Sequence, residues 1–183
     1  MGTGDGIARI LAREDGVRVI GVTGRKNSGK TGLVERLVAE LVARGHDVAT
    51  VKHAHHRAEV DTPGTDSFRH RMAGARQVAL VSRERIGLFE ELRGAPEPPL
   101  EVILSRLDAE IVLIEGYKGG DHPKIEAWRA ECGQPPLLGH LWGLVAVAAD
   151  APLPVRPPDG VPVVHLDETE RLADLALFHA APA

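Results

Sequence analysis

Apolar residues in this chain follow two rhythms, short unbroken runs and a spaced helical repeat, and their order along the chain predicts the fold. Val17-Arg18-Val19-Ile20-Gly21-Val22-Thr23 is a run suited to a strand. Leu33, Val34, Leu37, Leu41 and Val42 then recur at helical spacing across Lys30 to Arg44, and Gly45 stands where a left-handed residue closes a helix. Val48-Ala49-Thr50-Val51 returns as a second strand, so this stretch predicts a βαβ unit with parallel strands. Further strands are expected at Val78 to Val81, Glu110 to Glu115, Leu144 to Ala148 and Val161 to His165, each a short apolar run suited to burial on both faces. Helices are expected from Pro98 and Pro99 through Ile103 and Leu107, and from Glu168 to Phe178 with Leu172, Leu175 and Ala176 facing inward. The alternation predicts an α/β class, a doubly wound, mainly parallel sheet with helices on both faces. Residues 83 to 97 follow neither rhythm, and Pro152 to Pro162 reads as a proline-rich loop.

A length of 183 residues suits one domain, 1–183, with residues 1–16 expected as a flexible lead. Composition narrows the function classes. With 43% hydrophobic and 26% charged residues and no apolar run near the ~20 of a membrane span, the chain is expected to be a soluble protein without membrane association. Met1 to Gly16 lacks the apolar stretch of a secretory signal, so a cytoplasmic location is expected. Cys132 is the sole cysteine, which excludes an internal disulfide and a cysteine-based zinc cage. A net charge of −4 argues against general nucleic-acid binding. Arg69, Arg71, Arg76, Arg83 and Arg85 gather in one stretch that suits either an anionic ligand or a solvated face.

The chemistry concentrates where the first strand meets the first helix. Gly24-Arg25-Lys26-Asn27-Ser28-Gly29-Lys30-Thr31 is a complete G-x-x-x-x-G-K-[ST] phosphate loop. Its glycines let successive N–H groups turn inward onto phosphate oxygens, which the positive end of the following helix also attracts. Lys30 is placed for the outer phosphates and Thr31 for a Mg²⁺ ion that bridges them. The strand ending Ile111-Val112-Leu113-Ile114-Glu115 has the shape of a Walker B element, with Glu115 expected beside the metal. Ligands bind at the carboxyl ends of the strands in such sheets, which brings in the segment after Val51. There Asp61 is a candidate for the metal or for orienting a water, while Asp66 suits a helix cap near Ser67 or a substrate contact.

Other groups leave alternatives open. His53, His55, His56 and His70 suit either a transition-metal site or polar contacts at the rim. Lys118, Lys124 and Arg129 follow Glu115 closely, and lysines there suit phosphates, a partner's carboxylates or plain solvent. Asn27 is the only asparagine, so the Asn-Lys-x-Asp guanine motif is absent. Asp150 is the remaining candidate base reader, since one carboxylate can accept from both N1–H and N2–H₂ of guanine; it also suits a turn into Pro152.

The chain resembles the molybdopterin-guanine dinucleotide biosynthesis protein B family, MobB. The resemblance rests on Gly24 to Thr31 with its Asn27-Ser28 interior, Val51-Lys52-His53, the segment Asp61 to Ala75, Glu115-Gly116-Tyr117-Lys118 and Pro123-Lys124-Ile125-Glu126. It implies a phosphate-loop protein that binds GTP with Mg²⁺, hydrolyses it weakly and is usually dimeric. It also implies a role as adapter to the guanylyltransferase of molybdenum-cofactor synthesis, with molybdopterin as a further ligand. On that reading Gly24 to Gly32 and Asp150 bind nucleotide, Thr31, Asp61 and Glu115 hold metal, and Lys30 and Asp61 act in catalysis. His53, Asp66, Arg69, Arg71, Lys118 and Lys124 are left for substrate or partner. Gly32 departs from the second threonine common at this place, and Thr65 from the lysine of the family pattern. Two other functions remain open on this scaffold: a small-molecule kinase of the dethiobiotin-synthetase kind, and a metal-delivery GTPase using the histidines.

Overall fold

The computed structural model describes residues 17–54 and 61–183. The expectations for residues 1–16 and for His55 and His56 lie outside the described residues. Two compact units emerge, one from the described parts of Met1–His53 and Leu104–Ala183, the other from those of Ala54–Ile103. In chain order the elements are β1 (Arg18–Thr23), α1 (Lys30–Ala43), β2 (Val48–Lys52), α2 (Asp66–Met72), β3 (Gln77–Val81), β4 (Ile86–Glu90), α3 (Leu100–Leu104), β5 (Ile111–Glu115), β6 (Lys124–Trp128), β7 (Leu144–Ala149), β8 (Val163–His165), α4 (Thr169–His179) and β9 (Ala181–Pro182). Single 3-10 turns lie at Ala130–Cys132 and Leu138–His140.

The main unit is built on a sheet in the order β2-β5-β1-β6-β7-β8, every neighbouring pair parallel, with β9 antiparallel to the start of β1. Strands buried on both faces need no polar alternation, which is why β5 is an unbroken apolar run up to Glu115. Ile20 and Val22 of β1, Leu113 of β5, Ile125 of β6 and Ala146 of β7 pack with Leu33, Leu37 and Leu41 of α1 and with Leu172 and Ala176 of α4 in one core. Trp128, Val147 and Ala149 meet Leu138 of the second 3-10 turn in another. Burying a side chain such as Leu37, fully enclosed, stabilises by roughly 1.5–3 kcal/mol.

Gly21 of β1 shows how closely β6 approaches. A Cβ there would stand 2.7 Å from Nε2 of His122, closer than real contacts permit, and a tight 3.0 Å from Cγ of Lys124. The strand β6 is an element that the apolar rhythm did not announce, because it alternates charged and apolar residues. Both charges are fully buried: Lys124 and Glu126 expose none of their surface.

In the second unit β3 and β4 form an antiparallel hairpin in the register Val78↔Phe89, Ala79↔Leu88 and Val81↔Ile86. The expectation that the Val78 run is covered on both faces is corrected here, since Val81, Ile86 and Leu88 are 68%, 77% and 60% exposed. Residues 83 to 97 supply β4, hidden from the sequence pattern by Gly87 in the middle of a short run. The helix starting near Ser67 is capped by Thr65 rather than Asp66: the Thr65 backbone is extended and its hydroxyl accepts from Phe68 N–H at 3.4 Å. The helix expected through Leu107 ends at Leu104, where Leu107 N–H closes a turn onto the Leu104 carbonyl at 3.0 Å before the chain enters β5.

Candidate functional site

The loop between β1 and α1 takes the conformation its residues allow. Gly24, Asn27 and Gly29 have φ of 147°, 63° and 86°, a left-handed sequence that glycine and asparagine tolerate best. At Gly24 no side chain fits in any case, because a Cβ would lie 2.3 Å from the Ala127 carbonyl of β6. The helix then starts at Lys30 with its first N–H groups free of intrahelical partners, the geometry that binds anions.

Two strands flank β1 and deliver different groups to this rim. On one side β5 ends at Glu115, in register with Val22 of β1 and with Lys52 of β2. The Thr31 hydroxyl donates to Glu115 Oε1 at 2.9 Å, and Lys52 Nζ lies 3.5 Å from the same oxygen. A hydroxyl and a carboxylate facing each other at the start of the helix are hard oxygen donors, a set that fits Mg²⁺. Among the described residues no cluster of three or more His, Cys, Asp or Glu could hold a metal by itself.

On the other side β6 leads to Arg129, which with Asn27–Gly32 and Glu115 lines a pocket of about 340 Å³ over the loop. Lys30 Nζ rests on the Arg25 carbonyl at 2.5 Å. Burial, then Lys118, then Lys52 push the Lys30 ammonium below its usual range, and Glu115 opposes them. Positive charge is thus crowded around the pocket, and a polyphosphate would relieve the repulsion.

Glu126 has a different task. Its carboxylate accepts from Leu137 N–H at 2.6 Å and Leu138 N–H at 3.0 Å, and burial, partly opposed by these bonds, raises its pKa. Arg25 Nε adds a bond to the Pro135 carbonyl at 2.7 Å, and Trp128 Nε1 one to the Gln134 carbonyl at 2.9 Å. The segment after β6 is therefore tied back to β6 itself, through Glu126 and Trp128, and to Arg25 of the phosphate loop.

The remaining sequence candidates separate. Lys124, expected to meet substrate or a partner, is corrected by its burial: Nζ donates to the carbonyls of Gly120, His122 (2.7 Å) and Trp142 (3.2 Å). Asp150 follows β7 directly, and its Oδ1 accepts from Ala130 N–H at 2.9 Å. The His53 ring packs on Tyr117 with centroids 4.5 Å apart, and Lys118 is exposed. In the second unit Asp61 Oδ1 gathers Thr62 N–H (2.9 Å), Ser67 Oγ (3.0 Å) and Thr65 Oγ1 (3.3 Å). Arg71 is largely buried, bonded to Glu91 at 2.6 Å, near Asp61 Oδ2 at 3.6 Å and over the Phe68 and Phe89 rings. Asp66 and Arg69 stay exposed and line an open pocket of about 560 Å³ in that unit. Arg129 is the pocket residue that sequence reasoning left without a role. Its distance of five residues from Lys124 carries no signal until β6 is recognised as a strand.

A parallel sheet with a glycine-turned anion loop after its central strand, and an acid on the adjacent strand, defines the phosphate-loop NTPase fold. The model of the family described as molybdopterin guanine dinucleotide synthesis protein B, MobB, matches residues 19–150, and the chain belongs to that family. It is 36% identical over 154 residues to the molybdopterin-guanine dinucleotide biosynthesis adapter protein of Haemophilus influenzae, covering 81% of this chain and 84% of that protein. The Escherichia coli K12 protein of the same name is 35% identical over 154 residues, covering 82% and 86%. Among solved structures, a MobB protein homolog from Bacillus stearothermophilus superposes with a TM-score of 0.64 at 30% identity over 87% of this chain and 95% of its own. Bacillus subtilis MobB gives 0.70 at 24% identity over 91% and 99%, a likeness of fold. No described helix is long and apolar enough to cross a membrane.

Proposed function

We propose that the protein binds GTP with Mg²⁺, hydrolyses it slowly, and serves molybdopterin-guanine dinucleotide formation in the cytoplasm as an adapter to the guanylyltransferase. The observation that carries the nucleotide reading is the Thr31 hydroxyl set 2.9 Å from Glu115 at the mouth of the phosphate loop. Thr31 and Glu115 hold the Mg²⁺, which when bound offsets charge on the outer phosphates. Lys30 swings from the Arg25 carbonyl onto those phosphates, and the N–H groups of Gly24 to Gly32 cradle them. Asp150, exposed at the end of β7, reads the base. Among the described residues of the pocket no side chain is placed as a general base, which suits slow turnover. Exposed Arg69 suits the anionic phosphate of molybdopterin. The apolar face of the hairpin, with Val81, Ile86 and Leu88 open, supports a homodimer.

Calorimetry with GTP, GDP and ATP, with and without Mg²⁺, tests this reading. The expected result is Mg²⁺-enhanced GTP binding that Lys30→Ala abolishes while the variant still melts cooperatively. Unchanged GTP affinity in Lys30→Ala would remove the site assignment. A phosphorylated acceptor in place of free phosphate would move the protein to the small-molecule kinases.

A further inference from the structure

Among the described residues lining the phosphate pocket, Arg129 is the one that belongs neither to the loop and the start of its helix nor to β5. It directly follows β6, so it reaches the pocket from the flank of β1 opposite to Glu115. It lies against the loop at Gly29, where a Cβ would be 2.8 Å from Arg129 Nε. Among the described residues that Nε is buried without a hydrogen-bond acceptor. The outer nitrogen Nη1 has an ion pair of 3.4 Å to Glu131, a side chain 73% exposed and weakly held. A buried guanidinium N–H without an acceptor is costly, and an anion in the pocket is the group able to supply one.

We infer that Arg129 is a nucleotide ligand whose guanidinium donates to the α-phosphate, the inner end of the phosphate chain. The inference rests on the pocket being a nucleotide site. On the proposed reading Thr31 and Glu115 would hold the metal, and with it the outer phosphates, on the β5 flank. The inner end of the phosphate chain would then lie toward the β6 flank of the same pocket, where Arg129 stands. Gly32, the residue after the metal hydroxyl, has no side chain to offer the inner phosphate. Arg129 takes that part from the opposite wall with a planar fork, which a lysine reproduces in charge but not in geometry.

Calorimetry on the full chain with GDP and GTP, for wild type, Arg129→Ala and Arg129→Lys, tests the assignment. Arg129→Ala is expected to weaken both nucleotides alike, by about 10- to 100-fold, the effect of one lost charge-assisted bond. Arg129→Lys should fall between. Phosphorus NMR of bound GDP supplies a readout that a purely structural role would not move: the α resonance should shift between wild type and Arg129→Lys while the β resonance stays. Equal affinities in wild type and Arg129→Ala, a loss confined to GTP, or an unmoved α resonance would each overturn the assignment. Failure of wild type to bind either nucleotide would instead strike the nucleotide reading itself.

Discussion

The strands β5 and β6 flank β1 and each carries a glutamate to the same rim, yet the two carboxylates have opposite fates. Glu115 is 12% exposed and shares one oxygen between the Thr31 hydroxyl and the Lys52 ammonium, partners that an incoming metal can replace. Glu126 exposes nothing and already holds two backbone N–H groups, so it has nothing to offer a ligand. What a carboxylate can do is set by what its lone pairs already hold and by whether water reaches it. The contrast extends along each strand. β5 carries four apolar residues before its acid, whereas β6 places Lys124 and Glu126 inside the fold and satisfies each with carbonyls and N–H groups from the loops on either side of it.

The largest effect that tests this contrast is expected at Lys124. Lys124→Met keeps the length of the stem but strips three carbonyls of their donor, and should destabilise the protein by about 3 kcal/mol or more. That amounts to a fall in melting temperature of roughly 6–12 °C for a chain of this size. Urea denaturation showing a change within ~0.5 kcal/mol would mean that the buried ammonium is not what holds the Gly120 to Trp142 loops. A smaller loss is expected from Glu126→Gln. One amide oxygen cannot replace two carboxylate oxygens, so one of the Leu137 and Leu138 N–H groups loses its partner, at about 1–3 kcal/mol. The same isosteric change at Glu115 should cost less than about 1 kcal/mol, since an amide oxygen still accepts from Thr31. If the two variants were equally unstable, the division into a structural and a functional acid would fail.

Another effect is one of pH. Burial, with the Lys124 charge adding to it and Asp121 opposing, pushes His122 down from 6.5 to about 4. In the window between these values the unfolded chain binds the proton and the folded one does not, so stability contributed by neutral His122 is present above 6.5 and lost as pH falls toward 4. Thermal melts across that range should show the decline, and His122→Asn should flatten it. A wild-type profile that stayed level there would show that His122 titrates normally.

The same contrast explains what was legible in the sequence. β1, α1, β2 and β5 announce themselves because their partners are apolar and their chemistry is local: Gly24 to Thr31 is contiguous, and Glu115 ends an apolar run. β6 does not, because the groups that satisfy Lys124 and Glu126 are backbone carbonyls and N–H groups of Gly120, His122, Leu137, Leu138 and Trp142, which no residue-type pattern records. With β6 hidden, Arg129 has no address, and Lys124 reads as a surface lysine. The hairpin misleads in the other direction: Val78 to Val81 looks like an interior strand, yet its partner β4 is short, interrupted by Gly87 and apolar on an exposed face. Asp66 and Thr65 show the finer limit, since either can cap a helix and only the backbone at Thr65 decides between them.

The claim on which the rest depends is that Glu115, on the β5 side, is the metal-side acid of a nucleotide site. Calorimetric titration of GTP into wild type and Glu115→Gln, each with and without Mg²⁺, tests it most directly. The account predicts that Mg²⁺ tightens binding to wild type by about tenfold or more, at least ~1.4 kcal/mol, and that Glu115→Gln keeps its fold but loses that gain. A Glu115→Gln variant that retained the full Mg²⁺ enhancement would contradict it.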